Sequence, residues 1–176
     1  MTDTSKINAE MDRARADFHR LLDTAPRAEL RQPSDGTKWT NEQLLFHLLF
    51  GYLIVRTLLP LVRAFARLPD GASSRFAAML DAATGPFHLI NYAGSCGGAR
   101  VLGHRGMDRA MDKVVAGLQA SLARESETTL ARGMHFPAGW DPYFADFMTV
   151  RDIYHYATQH YDHHRRQLTL SSAQPT

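Results

Sequence analysis

The sequence predicts an all-α fold, a helical bundle. Apolar residues recur at three- and four-residue steps over long stretches of the chain, which is the spacing of one helix face. Helix-capping residues, Thr40 and Thr149, precede two of these stretches. Sustained alternation of apolar and polar residues, which indicates strands, is nearly absent. The 176 residues, 44% of them hydrophobic, suffice for one sizeable core. We therefore expect a single domain over residues 1–176, with residues 171–176 as a flexible tail.

The first predicted helix spans residues 5–24. Its apolar face consists of residues at helical spacing: Ile7, Met11, Ala14, Phe18, Leu21 and Leu22. Pro26 ends the pattern, because proline cannot continue a helix. Residues 25–39 are predicted as a loop, since they contain several turn-forming residues.

The second predicted helix begins at Thr40, which fits a capping box with Gln43. The run LLFHLLFGYLIV over residues 44–55 is apolar on nearly every side, which predicts a central, buried helix. Pro60 is expected to kink or interrupt it. A membrane span needs about 20 mostly apolar residues. The clean run here is shorter and contains His47, so we expect no membrane span.

The rest of the chain is predicted as short helices, loops and two further long helices. Short helices are expected over residues 74–83 and 86–93, and the segment GSCGGARVLGHRG over residues 94–106 is predicted as a loop because it is rich in glycine. A third long helix is expected over residues 107–124. Residues 133–148 are predicted as an aromatic loop, and the last helix runs from Thr149 to about Leu170.

Composition excludes several classes of protein. The formal net charge of +2 gives no strongly basic surface for nucleic acid. The single cysteine, Cys96, excludes a disulfide framework and a cysteine-rich zinc site. The N-terminus is polar and charged, so no secretory signal is visible and a cytoplasmic location is expected. The excess of arginine over lysine is typical of a bacterial genome rich in G and C.

Three histidines form the main candidate site. At about 100° per residue, His160 and His164 lie on the apolar stripe of the last helix, one turn apart. His155 and His163 lie outside that stripe. Two imidazoles at this spacing can bind one metal ion. His47, inside the apolar second helix, is the candidate third ligand, and Gly51 leaves space beside it.

Other interpretations of these histidines stay open at this point. A lone buried histidine is usually a hydrogen-bonded core residue, and two histidines four residues apart are common. Burying three imidazoles without a shared purpose costs free energy, which favours a metal site. Gln43, one turn before His47, is either a helix cap or a hydrogen-bond partner of a ligand.

Two blocks resemble the DinB/YfiT-like superfamily. The first runs from Trp39 to Leu48 and contains a Trp, a hydroxyl cap and His47. The second runs from His160 to Leu168 and contains HxxxH followed by Arg and Gln. The resemblance implies a four-helix bundle with one long crossover connection and short extra helices. It also implies a metal site formed by His47, His160 and His164. Arg166 departs from the family pattern, which often has Gly there.

The resemblance also implies an activity. Members of this superfamily include S-transferases that use low-molecular-weight thiols. We therefore expect a divalent metal, zinc or nickel, a thiol cosubstrate and a small-molecule electrophile, with a homodimer as a further expectation. The alternative is a non-catalytic binding or sensor module of the same fold. A third possibility is a helical protein without metal.

The sequence offers further candidate residues without ranking them. Candidate catalytic groups are Tyr52, Tyr156 and Asp162. Candidate groups for binding a cofactor or substrate are Arg165, Trp140 and Tyr143. Cys96 has no histidine beside it in the sequence and is predicted to be an incidental thiol.

Overall fold

The computed structural model describes residues 3–173, and within that range the chain is almost entirely helical. It forms α1 (Asp3–Thr24), α2 (Arg27–Leu30), α3 (Asn41–Phe65), α4 (Asp70–Ala82), α5 (Thr84–Leu122), α6 (Glu127–Leu130) and α7 (Val150–Arg165). Two short strands, β1 (Gly133–His135) and β2 (Phe147–Thr149), and a 3-10 turn (Ser171–Ala173) complete it. The predicted all-α fold is confirmed.

The four long helices form a bundle in which α3 is central. Helix α3 packs on α5 and α7, and α1 packs on the same two helices. Helices α1 and α3 therefore lie diagonally across the bundle, although they are consecutive long helices in the chain. A long connection, containing α4 and the first part of α5, leads from α3 to the part of α5 that packs against α1.

The core lies between these four helices. Its largest fully buried side chains include three tyrosines, Tyr52, Tyr154 and Tyr161, and the aromatic and aliphatic residues of α1 and α3. All six residues of the predicted apolar face of α1 are buried. The local 3.6-residue periodicity therefore identified the buried face of this helix correctly.

Both predicted N-terminal caps form. Thr40 accepts a hydrogen bond from the Gln43 amide, and Gln43 Oε1 accepts one from the Thr40 amide at 3.0 Å. Thr149 and Asp152 make the same reciprocal pair at the start of α7. Gln43 is thus a helix cap.

Pro60 does not interrupt α3, which continues to Phe65. Proline removes one backbone hydrogen bond, to the carbonyl of Arg56. Both residues lie on the exposed side of the helix, where water can replace that bond. By length and composition α3 could cross a bilayer, but 56% of its most apolar window is buried inside the protein. This is the pattern of the core helix of a soluble protein.

The prediction of a loop over residues 94–106 is wrong, because this segment belongs to α5. A side chain at Gly98 would place its Cβ 2.1 Å from the ring of Phe46, so glycine here allows α5 to pack closely on α3. Close packing outweighs the weak helix propensity of glycine. The helix breaks only at Gly103, where φ is 57° and ψ is −179°, a conformation that glycine adopts readily.

Side-chain hydrogen bonds hold the chain after α7 against α3, and this corrects two expectations. Helix α7 ends at Arg165 rather than near Leu170. The amide of Asn41 pairs with both the backbone and the hydroxyl of Thr169 and draws the chain toward α3. Residues 171–173 are a 3-10 turn with Ala173 buried, not a flexible tail; residues 174–176 lie outside the described residues.

Short elements replace two predicted loops. Strands β1 and β2 pair antiparallel, with Met134 opposite Met148, at the two ends of the predicted loop over residues 133–148. Residues 27–30 of the predicted loop 25–39 form α2. Elements this short depend on tertiary contacts more than on local propensity.

Candidate metal centre

The three predicted ligand histidines meet between α3 and α7. One ring nitrogen from each of His47, His160 and His164 lies within 4.8 Å of the others. The ring centroids are 4.5–4.8 Å apart. His47 and His160 are buried, while His164 is half-buried. The two histidines predicted on the apolar stripe of α7 and His47 of α3 thus form one cluster.

A hydrogen bond fixes which nitrogen of His47 faces the cluster. Ser95 on α5 donates its hydroxyl hydrogen to the carbonyl of Asn91 at 2.9 Å. Its oxygen lies 3.1 Å from His47 Nδ1 and therefore accepts a hydrogen bond from that nitrogen. The remaining nitrogen, Nε2, then carries a lone pair. The indole of Trp39 stacks on the His47 ring with centroids 4.3 Å apart and holds its plane.

His164 is oriented in the same way by the residue three positions later. Its Nδ1 lies 2.6 Å from Gln167 Oε1, an oxygen that can only accept. His164 Nε2 therefore also carries a lone pair, and it lies 3.2 Å from His47 Nε2. Two nitrogen ligands of a tetrahedral zinc ion, about 2.0–2.1 Å from it, lie about 3.3–3.4 Å apart. The two imidazoles therefore have the spacing of ligands to one ion.

His160 approaches the cluster over a glycine. A Cβ at Gly51 would lie 2.4 Å from His160 Nδ1, so any side chain at this position would displace the ring. His160 Nδ1 is buried without a hydrogen-bond partner among the described residues. His160 Nε2 lies 3.8 Å from Asp141 Oδ2. A buried polar atom without a partner requires an explanation, and an ion bound by the imidazole is one that fits this cluster.

Burial keeps all three imidazoles neutral. It lowers the pKa of His47 from 6.5 to about 3, with a further contribution from the charge of His164. Burial, followed by the neighbouring histidines, also lowers the pKa of His160 well below its usual value. The pKa of His164 is lowered by burial, although the bond to Gln167 opposes the shift. Neutral imidazole is the form that binds metal, so the cluster fits a divalent ion.

A cavity of about 330 Å³ opens beside the histidines. Its polar end holds Asp141, whose Oδ2 accepts a hydrogen bond from the Tyr156 hydroxyl at 3.0 Å. Burial, and then the Asp141 carboxylate, raise the pKa of Tyr156 well above its usual value, so this hydroxyl keeps its proton. The cavity thus places a carboxylate and a phenol next to the histidine cluster.

Of the six other candidate residues from the sequence, two line this cavity and four contact other groups. Tyr156 and Trp140 line the cavity. Tyr52 is buried and bonds to Thr158 at 2.9 Å, Asp162 pairs with Arg13 at 2.7 Å, and Arg165 pairs with Asp17 at 2.7 Å. These three engage other partners in the bundle. Tyr143 is half-buried and accepts a bond from Arg166 at 3.3 Å.

Reasoning from the sequence missed the roles of Ser95, Gln167 and Asp141. Ser95 lies in a segment predicted to be a loop, and no local pattern links it to His47, 48 residues earlier. Gln167 stands in the HxxxH block, and its spacing from His164 was the one available signal. Asp141 lies in the segment predicted as an aromatic loop, and no local pattern in the sequence links it to His160.

A second group of residues that could bind a metal, formed by His19, Asp108 and Asp112, is instead connected by ion pairs. His19 on α1 contacts Asp108 and, at 2.9 Å, Asp112 on α5. Both ring nitrogens are thus engaged by carboxylates, and the acidic side chains are exposed. This arrangement links two helices.

Comparison with known proteins agrees with the helical architecture. The sequence model of the DinB superfamily matches residues 10–168. No curated protein and no solved structure matches the chain. The match covers α3 and α7 together with all three histidines. The chain belongs to the DinB superfamily.

Proposed function

We propose that this protein binds one divalent metal ion at His47, His160 and His164 and uses it to transfer a low-molecular-weight thiol to a small electrophile. The observation that supports the metal is the pair of facing Nε2 atoms of His47 and His164. Two lone pairs 3.2 Å apart repel each other unless a cation lies between them. The depressed pKa of His47 disfavours an added proton in that position, which further supports a metal ion there.

Three imidazoles suit zinc or nickel and leave a coordination position open. When bound, such an ion would promote loss of a proton from a thiol or a water. Asp141 Oδ2 is close enough to the cluster to accept that proton, and the Tyr156 hydroxyl would hold the carboxylate in place. The apolar cavity would exclude water from the reacting groups. The thiol itself is what the family resemblance implies.

Metal content tests the first half of the proposal. We expect about one equivalent of zinc or nickel in untagged protein by plasma mass spectrometry, and loss of most of it in His164→Ala. His88→Ala is the matched control, because His88 is exposed on α5. Absence of metal after reconstitution with both ions would contradict the proposal, provided that circular dichroism shows the protein folded.

Turnover tests the second half. The metal-loaded protein is incubated with 1-chloro-2,4-dinitrobenzene in the presence of one low-molecular-weight thiol at a time, and without a thiol. We expect faster thiol-dependent loss of the electrophile, which falls at least tenfold in Asp141→Asn while the metal content stays the same. A loaded protein that accelerates none of these reactions would instead support the binding or sensor module.

A further inference from the structure

The cavity beside the histidines is long and apolar. It runs along α3 from Gly51, next to His160, past Leu58 to Leu61. At 1.5 Å per residue the ten steps from Gly51 to Leu61 span about 15 Å of the helix axis. Aromatic side chains of the opposite wall include the stacked pair Phe87 and Trp140, whose ring centroids are 3.9 Å apart. A ligand that reaches the histidines is therefore in contact with apolar groups along most of its length.

Both tryptophans and the threonine of the wall use their polar atoms in hydrogen bonds to the backbone. The indole nitrogen of Trp140 donates to the carbonyl of Leu80 at 3.1 Å. The indole nitrogen of Trp39 contacts the carbonyl of Tyr92 at 3.4 Å. The hydroxyl of Thr57 donates to the backbone of its own helix at 2.7 Å. These side chains thus present ring faces and carbon atoms to a ligand.

The wall also lacks positive charge. Among the residues described over 3–173, those that line the cavity include no lysine or arginine. The arginines of α3 have other partners: Arg56 donates to the carbonyl of Lys113 at 3.2 Å, and Arg63 pairs with Glu125. Within the part of the chain that the structure describes, Asp141 is the single carboxylate in the lining, and it lies beside the proposed cation. A carboxylate of a ligand that lies within the apolar part of the cavity, short of its exposed end at Leu61, would have no charged partner in the wall, which is costly.

We infer that the substrate of this site is an uncharged, apolar molecule of about two rings, whose single polar group faces the histidines and Asp141. The size follows from the volume, since a dry cavity of about 150 Å³ holds one benzene ring and this one measures about 330 Å³. The inference rests on the proposed function, because it describes the electrophile of that site. It excludes dicarboxylates and other molecules with a charge at the end remote from the histidines.

A matched pair of probes tests the inference without turnover. The probes are 2-naphthol and 6-hydroxy-2-naphthoate, which share one ring system and one hydroxyl and differ by a carboxylate at the far end. Their dissociation constants are measured by calorimetry on metal-free and on zinc-loaded protein. We expect 2-naphthol to bind at least tenfold more tightly than the naphthoate in both forms.

Two substitutions test whether the difference in affinity between the two probes arises in the far part of the cavity wall. Leu58→Lys adds a cation to the far part of the wall and is expected to reduce the difference between the probes at least threefold. Leu89→Lys is the control, because Leu89 is 68% exposed on α5, and it should leave the difference unchanged. Equal or tighter binding of the naphthoate to the unmodified protein, or no binding of 2-naphthol, would overturn the inference. Metal content is measured on the same samples, so a missing metal with normal binding of 2-naphthol would count against the proposed function alone.

Discussion

At the scale of single residues, the centre depends on groups that are not themselves ligands. Ser95 and Gln167 each accept a hydrogen bond from a histidine Nδ1 and so direct the opposite nitrogen of His47 and of His164 into the cluster. Gly51 has no side chain and so leaves the space that the ring of His160 occupies. Partners of this kind fix the tautomer and the orientation of ligands and raise their basicity.

Ser95→Ala is expected to weaken zinc binding about 10- to 100-fold, as is typical when the partner of a ligand is removed. The reason is that His47 loses the acceptor that keeps Nδ1 protonated and Nε2 free. Competition with a chromogenic chelator measures the affinity. Ser171→Ala, at an exposed position, is the control. Unchanged zinc affinity in Ser95→Ala would show that the hydroxyl does not orient His47.

Gly51→Ala is expected to abolish metal retention, because its Cβ would lie 2.4 Å from His160 Nδ1. The ring cannot stay in the cluster with an atom at that distance. Metal content after dialysis measures the effect, and Gly94→Ala is the control, since a Cβ there meets nothing within 4 Å. Full metal retention in Gly51→Ala would mean that His160 is not a necessary ligand.

At the scale of the elements, α5 shows how packing decides local structure. Glycine is a poor helix former, yet the glycine-rich segment is helical because Gly98 lets α5 approach Phe46 on α3. The same approach brings Ser95 to His47. Helix α5 therefore contributes to the histidine cluster through Ser95, although it supplies none of the three histidines.

Two adjacent glycines of α5 are expected to respond to alanine in opposite ways. Gly98→Ala should lower the free energy of unfolding by about 1–3 kcal/mol, because its Cβ collides with the Phe46 ring. Gly97→Ala should raise it by about 0.5–1 kcal/mol, since nothing lies within 4 Å of a Cβ there and alanine favours the helix. Urea denaturation measures both values. Stabilisation by both substitutions would indicate that the segment does not pack against α3.

At the scale of the whole molecule, the proposed metal site and an ionic contact each connect helices that are distant in the sequence. The proposed ligands come from α3 and α7, so a bound ion would link His47 to His164, which are 117 residues apart in the sequence. A separate ionic contact, between His19 and the carboxylates of Asp108 and Asp112, links α1 to α5. We expect both contacts to contribute to the stability of the entire fold.

Metal removal is expected to destabilise the protein. Zinc at 100 times its dissociation constant stabilises a folded protein by about 2.7 kcal/mol if the unfolded chain does not bind it. For a chain of this size we expect Tm to rise by roughly 5–10 °C on adding zinc. Differential scanning calorimetry with and without a chelator checks this, and His164→Ala should show no rise. Equal Tm values for metal-free and zinc-treated protein would argue against a metal bound at the histidines.

The contact of His19 gives a pH-dependent contribution to stability. Burial lowers the pKa of His19, but the bonds to Asp108 and Asp112 outweigh it and hold the pKa above 6.5. The stabilisation is therefore fully present below about pH 6.5 and is lost as the pH rises through the folded-state pKa. His19→Gln should cost up to about 1 kcal/mol at pH 6 and less at pH 9.

Urea denaturation of His19→Gln at the two pH values checks this prediction. His88→Gln, at an exposed position, is the control and should change stability equally at both pH values. An equal loss at pH 6 and pH 9 in His19→Gln would show that the charged form of the imidazole does not contribute.

The helical class, the capping box at Thr40, the N-terminal cap at Thr149 and the histidines on the buried stripe of α7 are predictable from the sequence alone. These features depend on residues a few positions apart, whose spacing is visible along the chain. Only the tertiary structure decided that the glycine-rich segment is a helix, that Ser95 orients His47 and that Asp141 lies beside His160. These pairs are distant in sequence, and what brings them together is the packing of α5 and of the 136–144 segment against the bundle. Packing between elements leaves no periodic trace in the residues that it joins.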